Sequence, residues 1–167
     1  MGYHVPAATH GDTVPLEVLQ EILSGGKSSR LNRALVETGI ASSVGAFSQD
    51  SLDPGLLVIE ANLQNHKKAG LAEAVIQKEL EKLIREPVSE KELERAKNLD
   101  NFGFYEGLDS DSEKARFMGQ YEILAGNFEA GLQRHAEIQK VTAADVQAVA
   151  KKYLEPSNRN TITGVPK

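Results

Sequence analysis

The sequence predicts an α+β fold in which a mostly antiparallel or mixed sheet carries several helices on one face. Segments with the composition of strands lie in the first 62 residues and at the end of the chain, whereas residues 67–153 show only helical patterns. Strands and helices that segregate in this way are typical of α+β domains. A length of 167 residues suits one domain with a core, and 40% hydrophobic with 26% charged residues is ordinary for a globular protein.

Four strands are predicted. They cover residues 2–6, 40–48, 55–62 and 160–165. The first strand is short, and Pro6 has no N–H group to donate to a neighbouring strand, which favours an edge position. Turn-forming residues separate the second strand from the third, so we expect a hairpin between them.

The first helix has clear signals at both ends. It begins at Asp12 or Thr13, buries an apolar stripe that includes Leu19, and stops at the glycine pair 25–26. A second, shorter helix is predicted over residues 28–39.

Five more helices follow the predicted hairpin. Capping boxes formed by Ser89 with Glu92 and by Ser110 with Glu113 mark the starts of two of them. The five helices are predicted over residues 67–85, 89–105, 110–124, 128–138 and 142–153.

The composition argues against several classes of function. Lysine and arginine total 19 and aspartate and glutamate total 24, a net charge of −5 without a basic cluster, so nucleic acid is not expected as a partner. No run of residues approaches the roughly 18 apolar residues of a membrane span, and no signal peptide is recognisable. The chain has no cysteine, which excludes disulfides and a thiol nucleophile.

Residue types alone reveal no catalytic centre. Residues 25–28 read Gly-Gly-Lys-Ser, but a phosphate loop needs a further glycine where Glu21 stands, so a helix break is the better interpretation. Glu17 and Glu21 share a helix face with Gln20 and could bind a hard cation or act as an acid–base pair, although a solvated face is the default interpretation. No two histidines have the spacing of a helical metal pair, and a surface or loop position is expected for each. They are His4, His10, His66 and His135.

Several stretches, taken in order, resemble the pitrilysin (insulinase-type) zinc peptidases, the inverted zincins. LEVLQEILSGGKSSRLNRALVETGIASSV, residues 16–44, resembles the family's helix, glycine break and Ser-Arg-Leu block. GLLVIEANLQ at 55–64 resembles the next strand, while EPVSEKELERAKN at 86–98 and ARFMGQYEILAGN at 115–127 resemble two later helices. These matches cover most of the chain, and their order makes the resemblance specific.

The resemblance implies which of the family's two kinds of domain this is. An active domain carries His-x-x-Glu-His, with two zinc-binding histidines and a general base, while a homologous second domain lacks the motif and closes the substrate chamber. In this chain Glu17 and Glu21 fall at the ligand positions and Gln20 at the base position. Residues 1–167 are therefore expected to be a single non-catalytic domain, without zinc of its own. It would be the C-terminal domain of a longer bacterial protein, in the periplasm or the cytoplasm, here without its first strand.

The resemblance also implies partners. Zinc is expected in a homologous active domain, on the same chain or on a partner protein, and the shared ligand is a peptide substrate. The family's second domain often directs an arginine and a tyrosine at the substrate carbonyl. Arg33 and Arg30 are the candidate substrate-binding residues here, whereas the tyrosine position falls on Ser42. Addition of an extended peptide to a sheet edge is a further way to bind substrate.

Two other functions stay open. The chain could be a structural or assembly domain of the same fold with no role in proteolysis, like the core subunits of respiratory complexes. It could also be an enzyme in its own right that uses Glu17 and Glu21 with a cation other than zinc.

Overall fold

The computed structural model describes residues 1–164 and confirms the α+β fold. Its strands are β1 (Gly2–Val5), β2 (Ala41–Ser48), β3 (Gly55–Leu63) and β4 (Arg159–Asn160). Its helices are α1 (Thr13–Ser24), α2 (Ala69–Arg85), α3 (Glu90–Glu106), α4 (Asp111–Ala125), α5 (Glu129–Ile138) and α6 (Ala143–Tyr153). A π-helical turn, Asn32–Val36, and a 3-10 turn, Pro156–Asn158, complete the regular structure of these residues. Within residues 1–164, no helix combines the length and the apolarity that crossing a membrane requires.

The four strands form one antiparallel sheet in the order β2-β3-β1-β4. β2 and β3 make the predicted hairpin, in which Ala46 lies opposite Ile59. The edge position predicted for β1 is wrong, because β1 lies between β3 and β4. Pro6 follows the last residue of β1, so its missing N–H group removes no hydrogen bond from the sheet.

The final strand is shorter than predicted. Arg159 pairs with Tyr3 and Asn160 with Gly2, and residues 161–164 have no regular structure. Val165, the predicted end of the strand, lies outside the described residues. The apolar side chain of Ile162 is 91% exposed, so no burial favours a longer pairing with β1.

The core is built around α1. Leu19, Ile22 and Leu23 have no exposed area, and the helix contacts α3, α5, α6 and β2. The same hydrophobic cluster includes Leu57 and Ile59 of β3. Full burial of an aliphatic side chain contributes about 1.5–3 kcal/mol, so the packing of α1 is a major source of stability.

Two glycines end α1, as predicted. A Cβ atom on Gly25 would lie 2.6 Å from the carbonyl oxygen of Glu21, and Gly26 has a φ of +71°. Arg95 of α3 donates hydrogen bonds to the carbonyl oxygens of Gly25 and Glu21. The carboxyl end of α1 is therefore capped by a cation, which suits the negative end of the helix dipole.

The helix predicted over residues 28–39 is present but shorter, and most of it is π-helical, because residues 30 and 31 are α-helical and lead directly into the π-helical turn at Asn32–Val36. The N–H group of Glu37 donates to the carbonyl oxygen of Asn32, five residues earlier, at 3.1 Å. Leu31 and Leu35 both have no exposed area. Two buried residues four apart fit a helix and a wide turn equally well, so their spacing could not distinguish the two structures.

Helices α4 and α5 form a helical hairpin, residues 111–138, on the outside of the domain. α4 has no buried residue, and only Gly131 and Ile138 of α5 are buried. The helices approach closely at Gly131, where a Cβ atom would overlap the rings of Phe117 and Tyr121. Both predicted capping boxes, at the starts of α3 and α4, are present. The helical part of the chain thus follows the predicted order, although the helical hairpin buries little apolar surface.

Candidate functional site

The predicted motif positions Glu17, Gln20 and Glu21 lie on one side of α1, which we call the α1 polar face. All three side chains are partly buried. The face borders a cleft of about 800 Å³ between α1, the end of β2 and α4. Arg116 and Ile123 of α4 lie on the opposite wall of this cleft. The interpretation of the α1 polar face as a solvated helix surface is wrong. Two of its three side chains form hydrogen bonds with other parts of the protein.

Glu17 is paired with a buried arginine. Its carboxylate accepts a hydrogen bond from Arg134 of α5, whose side chain is only 10% exposed. The same guanidinium donates to Asp50 at 3.1 Å and to the carbonyl oxygen of Ala8 at 2.8 Å. Burial raises the pKa of Glu17, and the hydrogen bond from Arg134 offsets part of that rise. Arg134 therefore joins the helical hairpin to α1, to the β2–β3 turn and to the loop that precedes α1.

Gln20 is bound to the end of β2. The N–H group of Ser48 donates to Oε1 of Gln20 at 2.7 Å, and Nε2 of Gln20 donates to Oγ of Ser48 at 3.0 Å. One helical turn later, the N–H group of Ala46 donates to Oγ of Ser24 at 2.8 Å. The amide of Gln20 is suited to this double contact, since it donates and accepts at once, whereas it cannot take up a proton as a general base.

Glu21 faces α3. Burial raises its pKa, the carboxylate of Asp100 adds to the rise, and Arg95 opposes it. Burial also raises the pKa of Asp100, which lies 3.4 Å from Nδ1 of His135. His135 stacks on the ring of Phe104, with 3.8 Å between the ring centroids. The surface or loop position expected for His135 is therefore wrong, because this histidine of α5 packs against α3.

The α1 polar face does not offer the ligands of a catalytic zinc site. Such a site takes three side-chain ligands, most often imidazole, in a tetrahedral arrangement with one open position. Here the carboxylate of Glu17 is bound by the positively charged Arg134, and Gln20 presents an amide. Within residues 1–164, no group of three or more histidine, aspartate and glutamate side chains lies close enough together to hold a metal ion.

The two arginines predicted to bind substrate have different surroundings. Arg30 donates from Nε and Nη2 to the two carboxylate oxygens of Glu92, at 2.7 and 3.0 Å, and this pairing lowers the pKa of Glu92 to about 2. Arg33 is exposed on the π-helical turn, and no side-chain hydrogen bond or ion pair of Arg33 is found in the part of the chain that the structure describes. Ser42, at the tyrosine position, is exposed and donates to the carbonyl oxygen of Asn62 at 3.1 Å. A contact of either arginine with substrate stays a prediction.

The sequence profile of the family described as the Peptidase M16 inactive domain matches residues 1–99. The chain belongs to this family. The matched residues extend from β1 into α3 and include the whole α1 polar face. The resemblance to the pitrilysin-type zinc peptidases, and to their inactive domain in particular, is thereby confirmed.

Two relatives show how far the similarity extends. A zinc protease of Helicobacter pylori is 26% identical over 163 residues, which are 97% of this chain and 36% of the relative. The solved inactive peptidase domain of a Bordetella parapertussis protein classed as a zinc protease is 32% identical, with a TM-score of 0.89, and the match covers 99% of this chain and 90% of that chain. The chain spans just over a third of the length of the curated relatives it matches.

A similar fold also occurs in a protein that is not named as a peptidase. A chain of complex III from Candida albicans matches with a TM-score of 0.76 and 18% identity, over 91% of this chain and 40% of that chain. Identity at this level shows a shared fold and no more.

Sequence reasoning missed the partners of the α1 polar face. Arg134 is 117 residues from Glu17, and Ser48 is 28 residues from Gln20, so no local motif connects them. One signal was available for Arg134. It lies three residues after Gly131 and four before Ile138, the two buried positions of α5, and a charged residue on the buried side of a helix indicates an internal partner.

Proposed function

We propose that this M16 inactive domain is the non-catalytic domain of a zinc metallopeptidase. It closes the substrate chamber and binds peptide, while a separate His-x-x-Glu-His domain holds the zinc and carries out proteolysis. The observation that carries the proposal is the α1 polar face of a chain that belongs to this family. Glu17 is bound to Arg134 and Gln20 to Ser48, so the positions of the zinc motif serve contacts within the domain.

The lengths of the relatives support a second domain. The chain matches 36% of the Helicobacter pylori zinc protease, which leaves that relative enough residues for another domain of this size. We propose that the parent protein has the same organisation, with this chain as its C-terminal domain, or that the active domain belongs to a partner protein. A peptide, rather than a nucleic acid, is the shared ligand.

The proposed peptide surface is the free edge of β2 with the π-helical turn that leads into it. β2 is an outer strand of the sheet, and Ser42 and Ser43 are exposed on it. An extended peptide can add there as a further strand, with backbone hydrogen bonds that provide affinity. Arg33 is exposed on the adjoining turn, where its guanidinium can bind a peptide carbonyl or carboxylate. Arg30 is less suited, because it would first have to leave Glu92.

Reconstitution of peptidase activity tests the proposal. The purified chain is assayed on a fluorogenic peptide, alone and together with the His-x-x-Glu-His domain of its parent or partner. We expect no hydrolysis by this chain alone and hydrolysis by the mixture. Arg33→Ala should lower kcat/KM of the mixture about fivefold, which is the effect expected when one partly exposed charge contact with the substrate is lost.

The matched control is Arg85→Ala, which removes an exposed arginine from α2 and should leave kcat/KM unchanged. Equal activity of the His-x-x-Glu-His domain with and without this chain would contradict the proposal. A stable complex of the two with unchanged activity would instead support the assembly role without proteolysis.

A further inference from the structure

Helix α4 presents one side of its surface to the cleft beside the α1 polar face. Arg116, Gln120 and Ile123 line the cleft and follow one another at four and three residues, which is the spacing of neighbours on one helix face. Gly119 lines the cleft between them. Apart from its neighbours in α4, no atom of the described residues lies within 4 Å of the position that a Cβ atom on Gly119 would take. The middle of this wall therefore leaves room in the cleft of about 800 Å³.

Arg116 brings an unpaired positive charge to this wall. Its side chain is exposed, and no hydrogen bond or ion pair of that side chain is found within residues 1–164. Glu113, one turn earlier in α4, is already engaged, because its Oε2 atom accepts hydrogen bonds from the N–H group and the hydroxyl of Ser110 at 3.1 and 2.8 Å. A free guanidinium binds a carboxylate through two parallel hydrogen bonds, so Arg116 is suited to an anionic ligand group.

The opposite wall carries a surplus of negative charge. Glu17 and Asp50 both line the cleft, and the guanidinium of Arg134 bonds to one oxygen of each, Oε1 and Oδ1 respectively. Arg134 lines the neighbouring cavity of about 200 Å³ and not the cleft itself. Two negative charges thus share one positive charge that lies behind them. This wall is suited to a cationic ligand group, whereas the wall of α4 is suited to an anionic one.

We infer that this cleft binds a short zwitterionic peptide, with the carboxylate of the peptide on Arg116 and a positively charged amine on the wall of Glu17 and Asp50. Ile123, whose side chain is 73% exposed, and Leu124 offer apolar contact to the aliphatic part of the ligand. The volume of the cleft is typical of sites for small ligands. Opposite charges on facing walls fix the direction in which such a peptide lies. This site is separate from the proposed peptide surface on β2, so the inference goes beyond the proposed function.

Peptides with altered charges test the inference. Ala-Leu-Ala-Leu is titrated into the isotope-labelled chain with both ends free, with its N-terminus acetylated and with its C-terminus amidated, and binding is followed by NMR. The free peptide should bind about fivefold more tightly than either capped form, because each cap removes one partly exposed charge contact. Acetylated Ala-Lys-Ala-Leu distinguishes the two sources of the amine. Binding as tight as that of the free peptide assigns the amine to a lysine side chain, and weaker binding assigns it to the N-terminus.

Two variants at exposed positions of α4 locate the peptide. Arg116→Met should weaken the free peptide about fivefold and leave the amidated peptide unchanged, because only the free peptide has a carboxylate for Arg116. Gly119→Leu should weaken every peptide about tenfold, since the new side chain fills the cleft. The matched controls are Arg85→Met, at an exposed arginine of α2, and Gly103→Leu, at a glycine of α3 with equally open surroundings. Both controls should leave binding unchanged.

The same titrations can overturn the inference. Absence of binding, equal binding of the free and amidated peptides, or unchanged binding in Arg116→Met would each do so. Loss of binding in Arg33→Met, with Arg116→Met unaffected, would assign the peptide to β2 instead and leave the proposed function standing. Conversely, reconstitution without peptidase activity, together with the expected charge dependence of binding, would overturn the proposed function and leave this inference standing.

Discussion

Arg134 is the residue on which the contacts of Glu17 and Asp50 converge. Removal of one partner from a buried ion pair leaves the other charge uncompensated and costs about 3–5 kcal/mol. Since both carboxylates are partly exposed, we expect the lower end of this range, and Arg134→Met should lower the free energy of unfolding in urea by about 3 kcal/mol. Arg116→Met removes an exposed arginine of α4 and should change it by less than about 0.5 kcal/mol.

Neutral partners separate the effect of charge from the effect of packing at the same site. Arg134→Met combined with Glu17→Gln and Asp50→Asn leaves no unpaired charge, so this triple variant should recover most of the lost stability. A triple variant as unstable as Arg134→Met alone would show that the uncompensated carboxylates are not the cause.

The pair of Arg30 and Glu92 predicts a dependence of stability on pH. The pKa of Glu92 falls from 4.5 to about 2, chiefly through the hydrogen bond from Arg30. Because the folded-state pKa lies below the unfolded one, the stabilisation is complete above pH 4.5 and is lost as the pH falls towards 2. Arg30→Met should therefore lower Tm at pH 7, and its difference from wild type should shrink between pH 4.5 and 2. Arg33→Met is the control and should leave Tm unchanged, while a pH-independent effect of Arg30→Met would argue against the pairing.

At the level of secondary structure, the contact between α4 and α5 depends on a single glycine. A methyl group at Gly131 would overlap the rings of Phe117 and Tyr121, so Gly131→Ala should destabilise the domain by about 1–3 kcal/mol. Gly119→Ala in α4 is the matched control. It has open space around it and should stabilise the domain by up to about 1 kcal/mol, because alanine favours a helix. Urea unfolding measures both, and changes of the same sign would contradict the described packing.

The elements with local signals could be predicted from the sequence, and those set by distant contacts could not. The capping boxes and the glycine stop after α1 lie within a few residues of the ends they mark, and these boundaries are confirmed. The inner position of β1 depends on its pairing with β4, more than 150 residues later in the chain, which no local pattern reports. The degenerate motif positions were visible in the sequence, but their partners Arg134 and Ser48 were not, because folding alone brings them to α1.

In the whole molecule, α1 connects the other parts of the domain. This is the helix that carries the positions of the family's zinc motif. Through Glu17 it is joined to the helical hairpin, through Gln20 and Ser24 to the edge of β2, and through its capped end to Arg95 of α3. The contacts of Glu17 and Gln20 use two of the positions at which the zinc motif of an active domain would fall. The α1 polar face therefore has a structural role, which is the physical basis for proposing that catalysis takes place in another domain.

Zinc content and peptide hydrolysis, measured together on the purified chain, test this central claim most directly. The chain is incubated with zinc, dialysed, analysed for bound metal and assayed on a fluorogenic peptide with and without chelator. The account predicts no stoichiometric zinc and no hydrolysis under either condition, because the α1 polar face is bound to Arg134 and Ser48. One tightly bound zinc per chain, with hydrolysis that the chelator abolishes, would contradict it.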